Sequence, residues 1–238
     1  MGRNNYFQFK QFKIIQEKAA MKVGTDGVLL GAWTNIEEAT HILDIGTGSG
    51  VIALMLAQRT MANIIGVEIE KNAAKEAGEN VKNSPWANRV TIINSSFQKF
   101  ENTTQLTYDL IVSNPPFFIN DKKSQNSNLA IAKHNHLLPL PDLINGSFNL
   151  MKDRGKLAVI LPVIPAQKLI DYTKQKGLFL NKLTEVKSNN LKNTHRFMME
   201  FSKYQTILKK DYLTIYNDDG ADYSEVYKKI TREFYLNF

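Results

Sequence analysis

From position 41 onward, short runs of Val, Ile and Leu alternate with longer stretches whose apolar residues recur every three or four positions. This is the pattern of strands feeding helices in βαβ units. Strands are predicted at residues 41–46, 63–69, 89–95, 108–113 and 156–162, each apolar almost throughout, as in strands covered on both faces. Two further runs, 178–186 and 196–203, lie close enough in sequence to pair as an antiparallel hairpin, giving seven strands. Helical spacing covers 51–59, 72–82, 140–152 and 165–176, and 222–234 reads as a C-terminal helix with charged and aromatic faces. The prediction is an α/β fold: a mostly parallel sheet with helices on both faces.

One stretch breaks the rhythm. Residues 120–135 are polar and follow a strand end, where α/β proteins place their binding crevice, so they are expected to form a lid.

The 238 residues contain no Pro/Gly/Ser-rich linker, which predicts a single domain, and 43% hydrophobic with 22% charged residues is a globular composition. No run approaches the roughly 18 apolar residues of a membrane span, and the opening lacks a signal peptide's apolar core; a cytoplasmic protein is expected. The absence of cysteine excludes disulfides and thiolate zinc sites. A net charge of +7 favours a phosphate-rich partner such as nucleic acid. His134 and His136, with no carboxylate close by, make a poor metal site, so no metal is assigned.

Candidate chemistry sits at two strand ends. The first strand runs into Asp44-Ile45-Gly46-Thr47-Gly48-Ser49-Gly50 and then a helix, and Glu68 closes the second strand. Glycines let the backbone approach a ligand, and an acid at that second position accepts hydrogen bonds from ribose hydroxyls, so a nucleoside ligand follows. The stretch from Gly48 to Ala53 also fits G-x-G-x-x-A, the dinucleotide fingerprint. Asp44 favours S-adenosylmethionine, because a carboxylate attracts an ammonium and repels a pyrophosphate; the segment alone leaves NAD open.

The fourth strand ends in Asn114-Pro115-Pro116-Phe117. Two prolines fix the backbone and remove two N–H donors, which leaves carbonyl acceptors beside the Asn114 amide. An exocyclic amine is a poor nucleophile because its lone pair is delocalised into the ring. Acceptors at the Asn114 side-chain oxygen and the Pro115 carbonyl would take its two hydrogens and turn the lone pair toward a methyl donor, with Phe117 stacked on the base.

Taken together, Asp44-x-Gly-x-Gly-x-Gly, Glu68 and Asn114-Pro-Pro-Phe resemble class I methyltransferases acting on planar amino groups, whose substrates include adenine, guanine and glutamine amides. The opening Phe7-x-Phe9-Lys10-x-Phe12, the stretch MKVGTDGVLLGAW at 21–33 and the ending at 227–238 are similar to the valine-tRNA adenine-37 N6-methyltransferase family. The resemblance implies a Rossmann-like, seven-stranded class I sheet for residues 39–238. Residues 1–38 would then cover the cofactor and substrate site.

It also implies S-adenosyl-L-methionine as cofactor and a tRNA substrate; a monomer is expected. Lys22, Thr25 and Asp26 fall in the part that folds over the cofactor's methionine end, and Thr25 and Asp26 also read as helix caps. Asp44, Gly46, Gly48, Gly50, Glu68, Ile69, Ser96, Phe97 and Asn114 complete the implied cofactor set, with Ser96 standing where relatives usually carry an acid. The basic residues Lys10, Lys13, Lys122, Lys123, Lys133 and Arg196, with His134, are the implied RNA contacts.

Overall fold

The computed structural model describes residues 5–18, 22–116 and 138–238. The chain opens on an antiparallel hairpin of β1 (Tyr6–Gln8) and β2 (Lys13–Ile15), followed by α1 (Thr25–Trp33). Then come β3 (His41–Ile45), α2 (Val51–Arg59), β4 (Asn63–Glu68), α3 (Lys71–Lys82), β5 (Val90–Asn94), α4 (Phe97–Thr103) and β6 (Tyr108–Ser113). The second half holds α5 (Leu140–Leu150), β7 (Met151–Pro162), α6 (Val163–Lys176), β8 (Phe179–Lys187), β9 (Thr194–Ser202), β10 (Lys209–Thr214) and α7 (Glu225–Thr231).

The main sheet has the order β10-β8-β9-β7-β6-β3-β4-β5. Among the described strands of this sheet only β9 runs against the rest, pairing antiparallel with both β7 and β8, so the expected C-terminal hairpin is present. Side-chain alternation builds a core on each face. Ile42, Leu110, Val112, Ala158 and Ile160 pack with α1, α2 and α7, while Leu43, Ile45, Ile111, Leu157 and Val159 pack with α4, α5 and α6.

Among the described residues the sheet has eight strands where seven were expected. The addition, β10, pairs parallel with β8 at the outer edge. Its sequence, KKDYLT, buries only Leu213 and Thr214, so it carries no apolar run to announce it; its lysines suit an edge that must resist further pairing. Helix α5 stops at Leu150 because β7 begins at Met151, five residues before its predicted start at 156. The C-terminal helix contracts to seven residues: Tyr223 bridges to Tyr216, and the Ser224 hydroxyl accepts from the Tyr227 amide as the cap.

The hairpin, α1 and α4 were not predicted as elements. Helix α1 lies close on α2, and a Cβ on Gly31 would stand 2.9 Å from the Met55 sulfur. The contact therefore needs glycine. At the other end, Trp33 Nε1 donates to Thr184 Oγ1 at 2.9 Å, which fixes α1 to β8. Among the described residues no helix is long and apolar enough to cross a membrane.

Candidate active site

Strand β3 delivers its last residues to the carboxyl edge of the sheet, where the chain turns through Gly46, Gly48 and Gly50 at φ +71°, +57° and +83°. L side chains rarely adopt such values. A Cβ on Gly46 or Gly48 would meet nothing within 4 Å, so the backbone lies bare toward open space, whereas Gly50 sits against Ala77 of α3 and caps α2.

Asp44 lies behind this loop rather than on its surface. It is fully buried; Oδ2 accepts from the Thr47 hydroxyl at 2.6 Å and from the Ala53 amide at 3.2 Å, and Oδ1 is buried without a hydrogen-bond partner. Burial pushes its pKa up to about 7, against the Thr47 and Ala53 bonds, and Glu68 adds repulsion. One oxygen thus braces the loop and the other is left for a donor.

Glu68 ends β4. Its carboxylate accepts from the Gly48 amide and from the Glu70 amide, each at 2.9 Å, and every carboxylate oxygen keeps a further lone pair. Asn94 holds the same turn by donating to the carbonyls of Glu68 and Ile69.

Strand β6 is the neighbour of β3, with Ser113 beside Ile45, so Asn114, Pro115 and Pro116 emerge next to the glycine loop. Pro115 is buried, and Asn114 and Pro116 are half-buried. Phe117, the fourth residue of the quartet, lies outside the described residues, as do Lys122, Lys123, Lys133, His134 and the whole of 120–135, where a lid was expected.

The start of α1 belongs to the same edge. Asp26 accepts from Arg196 Nε at 2.8 Å, and Arg196 stands beside Pro162 at the carboxyl end of β7. The cap of α1 is Gly24, with no side-chain cap bond, so the capping expected of Thr25 and Asp26 is not made; Asp26 sits in the first turn and binds Arg196 instead. Lys22 is half-buried just ahead of it. Burial and the Arg196 charge push the His195 imidazole down, with Asp26 opposing.

The remaining expected residues divide. Ser96 caps α4, its hydroxyl accepting from the Lys99 amide at 3.2 Å, and Phe97 is a core residue packed under α5. The Lys10 ammonium donates to the carbonyls of Arg232 and Phe238, each at 2.6 Å, tying the hairpin to the C-terminal segment. Lys13 is exposed, with its ammonium 4.1 Å from the centre of the half-exposed Tyr6 ring.

Sequence reasoning missed Thr47, Glu76 and Asn80. The last two were legible in principle, because they are polar and yet fall on the small-residue face of α3 formed by Ala73, Ala77 and Val81. Among the described residues no cluster of three or more His, Asp or Glu is placed to hold a metal.

Bare left-handed glycines, an acid closing the second strand and an unpartnered buried carboxylate oxygen together fit a nucleoside-bearing cofactor. The profile of a methyltransferase domain matches residues 36–226. A Trichodesmium erythraeum tRNA1(Val) (adenine(37)-N6)-methyltransferase is 44% identical over 98% of this chain and 99% of its own. Its Bacteroides fragilis counterpart is 40% identical over 97% and 98%. A predicted O-methyltransferase of known structure from Agrobacterium tumefaciens shares the fold at a TM-score of 0.70, with 16% identity, over 88% of this chain and 96% of that one.

Proposed function

The chain belongs to the tRNA1(Val) (adenine(37)-N6)-methyltransferase family, and from that premise we propose that it methylates the exocyclic amine of adenine 37 in a valine tRNA, using S-adenosylmethionine. The observation that carries the reading is the placement of Asn114-Pro115-Pro116 immediately beside the glycine loop, on the adjacent parallel strand.

Bound in the crevice, S-adenosylmethionine supplies a methyl group on a positively charged sulfur. The chain's own residues do the rest. Glu68 would accept from ribose hydroxyls, Asp44 Oδ1 would be the acceptor left for the ammonium, and the start of α1 with Lys22, Thr25 and Asp26 would cover the same end. The Asn114 side-chain oxygen and the Pro115 carbonyl each accept one amine hydrogen, which localises the nitrogen lone pair and aims it. Pro115 and Pro116 supply no competing N–H. No side chain removes a proton before transfer, since the amine proton becomes acidic only after nitrogen has been methylated.

Adenine 37 lies in the anticodon loop, where a base is unstacked cheaply, so specificity comes from loop shape and neighbouring bases. The test is methyl transfer to unmodified valine tRNA and to a copy carrying guanine at position 37, read by mass spectrometry of the nucleosides. N6-methyladenosine in the first and no label in the second is the expected outcome. Equal labelling of both transcripts overturns the substrate assignment.

A further inference from the structure

Behind the glycine loop, a single side-chain amide joins α3, β2 and the loop itself. Asn80 of α3 is 1% exposed; its Oδ1 accepts from the Ile15 amide at 2.8 Å, and its Nδ2 donates to the Ile15 carbonyl at 2.8 Å and to the Ser49 carbonyl at 2.9 Å. The amide pairs with the free edge of β2 as a neighbouring strand's peptide would, and its second hydrogen reaches into the Gly48-Ser49-Gly50 turn. One helical turn earlier, Glu76 Oε2 accepts from the amides of Glu17 and Lys18, each at 2.7 Å. Gln16 Oε1 accepts from the Val23 amide at 2.8 Å, just ahead of α1. The face of α3 that carries Asn80 also bears Ala77, against which Gly50 is packed.

We propose that Asn80 is a positioning residue for cofactor binding: through one amide it fixes the glycine loop and the segment leading into α1 relative to each other. The proposal rests on the cofactor crevice described above. Its chemistry is specific to an amide. Both Nδ2 hydrogens are spent on buried carbonyls, so an aspartate of the same shape, having oxygen in that place, repels where asparagine binds.

The experiment compares the full-length protein with Asn80→Asp, with the milder Asn80→Gln, which keeps the amide one methylene further out, and with Val81→Ala as a control. Val81 is buried on the same helix, and its truncation destabilises the core without touching the loop. Calorimetric titration with S-adenosylhomocysteine should show Asn80→Asp weakening Kd by about tenfold or more, the scale of one buried hydrogen bond. Asn80→Gln should fall between it and the wild type. The loss should appear in KM for S-adenosylmethionine rather than in kcat, and Val81→Ala should lower Tm while leaving Kd near the wild-type value. Should Asn80→Asp not fold, Asn80→Gln carries the comparison. Wild-type affinity in the folded Asn80 variants, or an equal loss in Val81→Ala, rejects the positioning role. A wild-type protein that does not bind the probe rejects the cofactor reading itself, and the proposal falls with it.

Discussion

The Ser113 hydroxyl donates to the Ile45 carbonyl at 2.9 Å, lacing together the last residues of the two strands that carry the glycine loop and the Asn-Pro-Pro turn. Ser113 is completely buried and Ile45 nearly so, which makes the bond part of the geometry relating the two halves of the site. Ser113→Ala removes a buried donor and should cost about 1 kcal/mol of stability. Turnover should fall several-fold through misplacement of Asn114. Denaturant unfolding measures the first and steady-state kinetics the second; a variant with normal stability and normal kcat would show that the strand ends need no such tie.

Asn114 is proposed to act on the substrate amine and not on the fold. Asn114→Ala should therefore lower kcat by on the order of a hundredfold or more, the scale seen when one preorganised polar group is lost. Affinity for S-adenosylhomocysteine should stay within a few-fold. Activity close to normal on valine tRNA would remove the Asn114 oxygen from the mechanism.

Lys13 and Arg196 are both expected RNA contacts, and their surroundings separate them. The Lys13 ammonium is exposed over Tyr6, while the Arg196 guanidinium is engaged by Asp26 and the His195 carbonyl. If Lys13 meets phosphate, Lys13→Ala should lower the slope of log K against log salt for tRNA binding by roughly 0.7–0.9, the contribution of one neutralised phosphate. Arg196→Ala should leave that slope unchanged and instead loosen α1, raising KM for the cofactor. Filter binding across a salt series distinguishes the two, and the opposite pattern reverses the assignments.

What the sequence revealed, and what it hid, follows from how each element is stabilised. Strands β3, β4, β6 and β7 are buried on both faces, so their apolar runs stood out. The edge strand β10 is mostly exposed and reads as a charged loop. The glycine loop and Asn114-Pro-Pro were readable because a ligand-facing backbone needs particular residue types at fixed spacing. The supports behind them were not. Thr47 braces Asp44 from inside the glycine motif, at a position whose residue type the glycine spacing does not dictate, and Asn80, although its polar place on the buried face of α3 was legible, bridges Ile15 and Ser49, partners 65 and 31 residues away that no periodicity identifies. The burial of Asp44 behind the glycine loop has the same origin: its position at a strand end was legible, but the direction in which the loop folds back over it was not.

That burial of Asp44 yields a pH dependence with a definite sign. Its folded pKa, raised to about 7 by desolvation, lies above the ordinary carboxylate value, so below pH 7 the cofactor-free protein holds a proton that the unfolded chain has released. This carboxyl's contribution is therefore most favourable at acid pH and is lost as pH rises from about 4 to 7. A cationic ligand reverses the balance. An ammonium facing Oδ1 favours the carboxylate, so binding below pH 7 must expel the proton, and affinity should rise by up to tenfold per pH unit until it levels off near 7. The groups packed around Asp44 are Thr47 and the Ala53 amide, which do not titrate in this range, and Glu68, whose charge opposes that of Asp44. Calorimetric titration with S-adenosylhomocysteine at pH 6, in buffers of different ionisation enthalpy, should register close to one proton released, and at pH 8 close to none. Asp44→Asn should bind more weakly and lose this proton release, which separates the effect from titration elsewhere, His195 included. Equal proton release by wild type and Asp44→Asn would place the titrating group elsewhere and leave Asp44 with only its loop-bracing role.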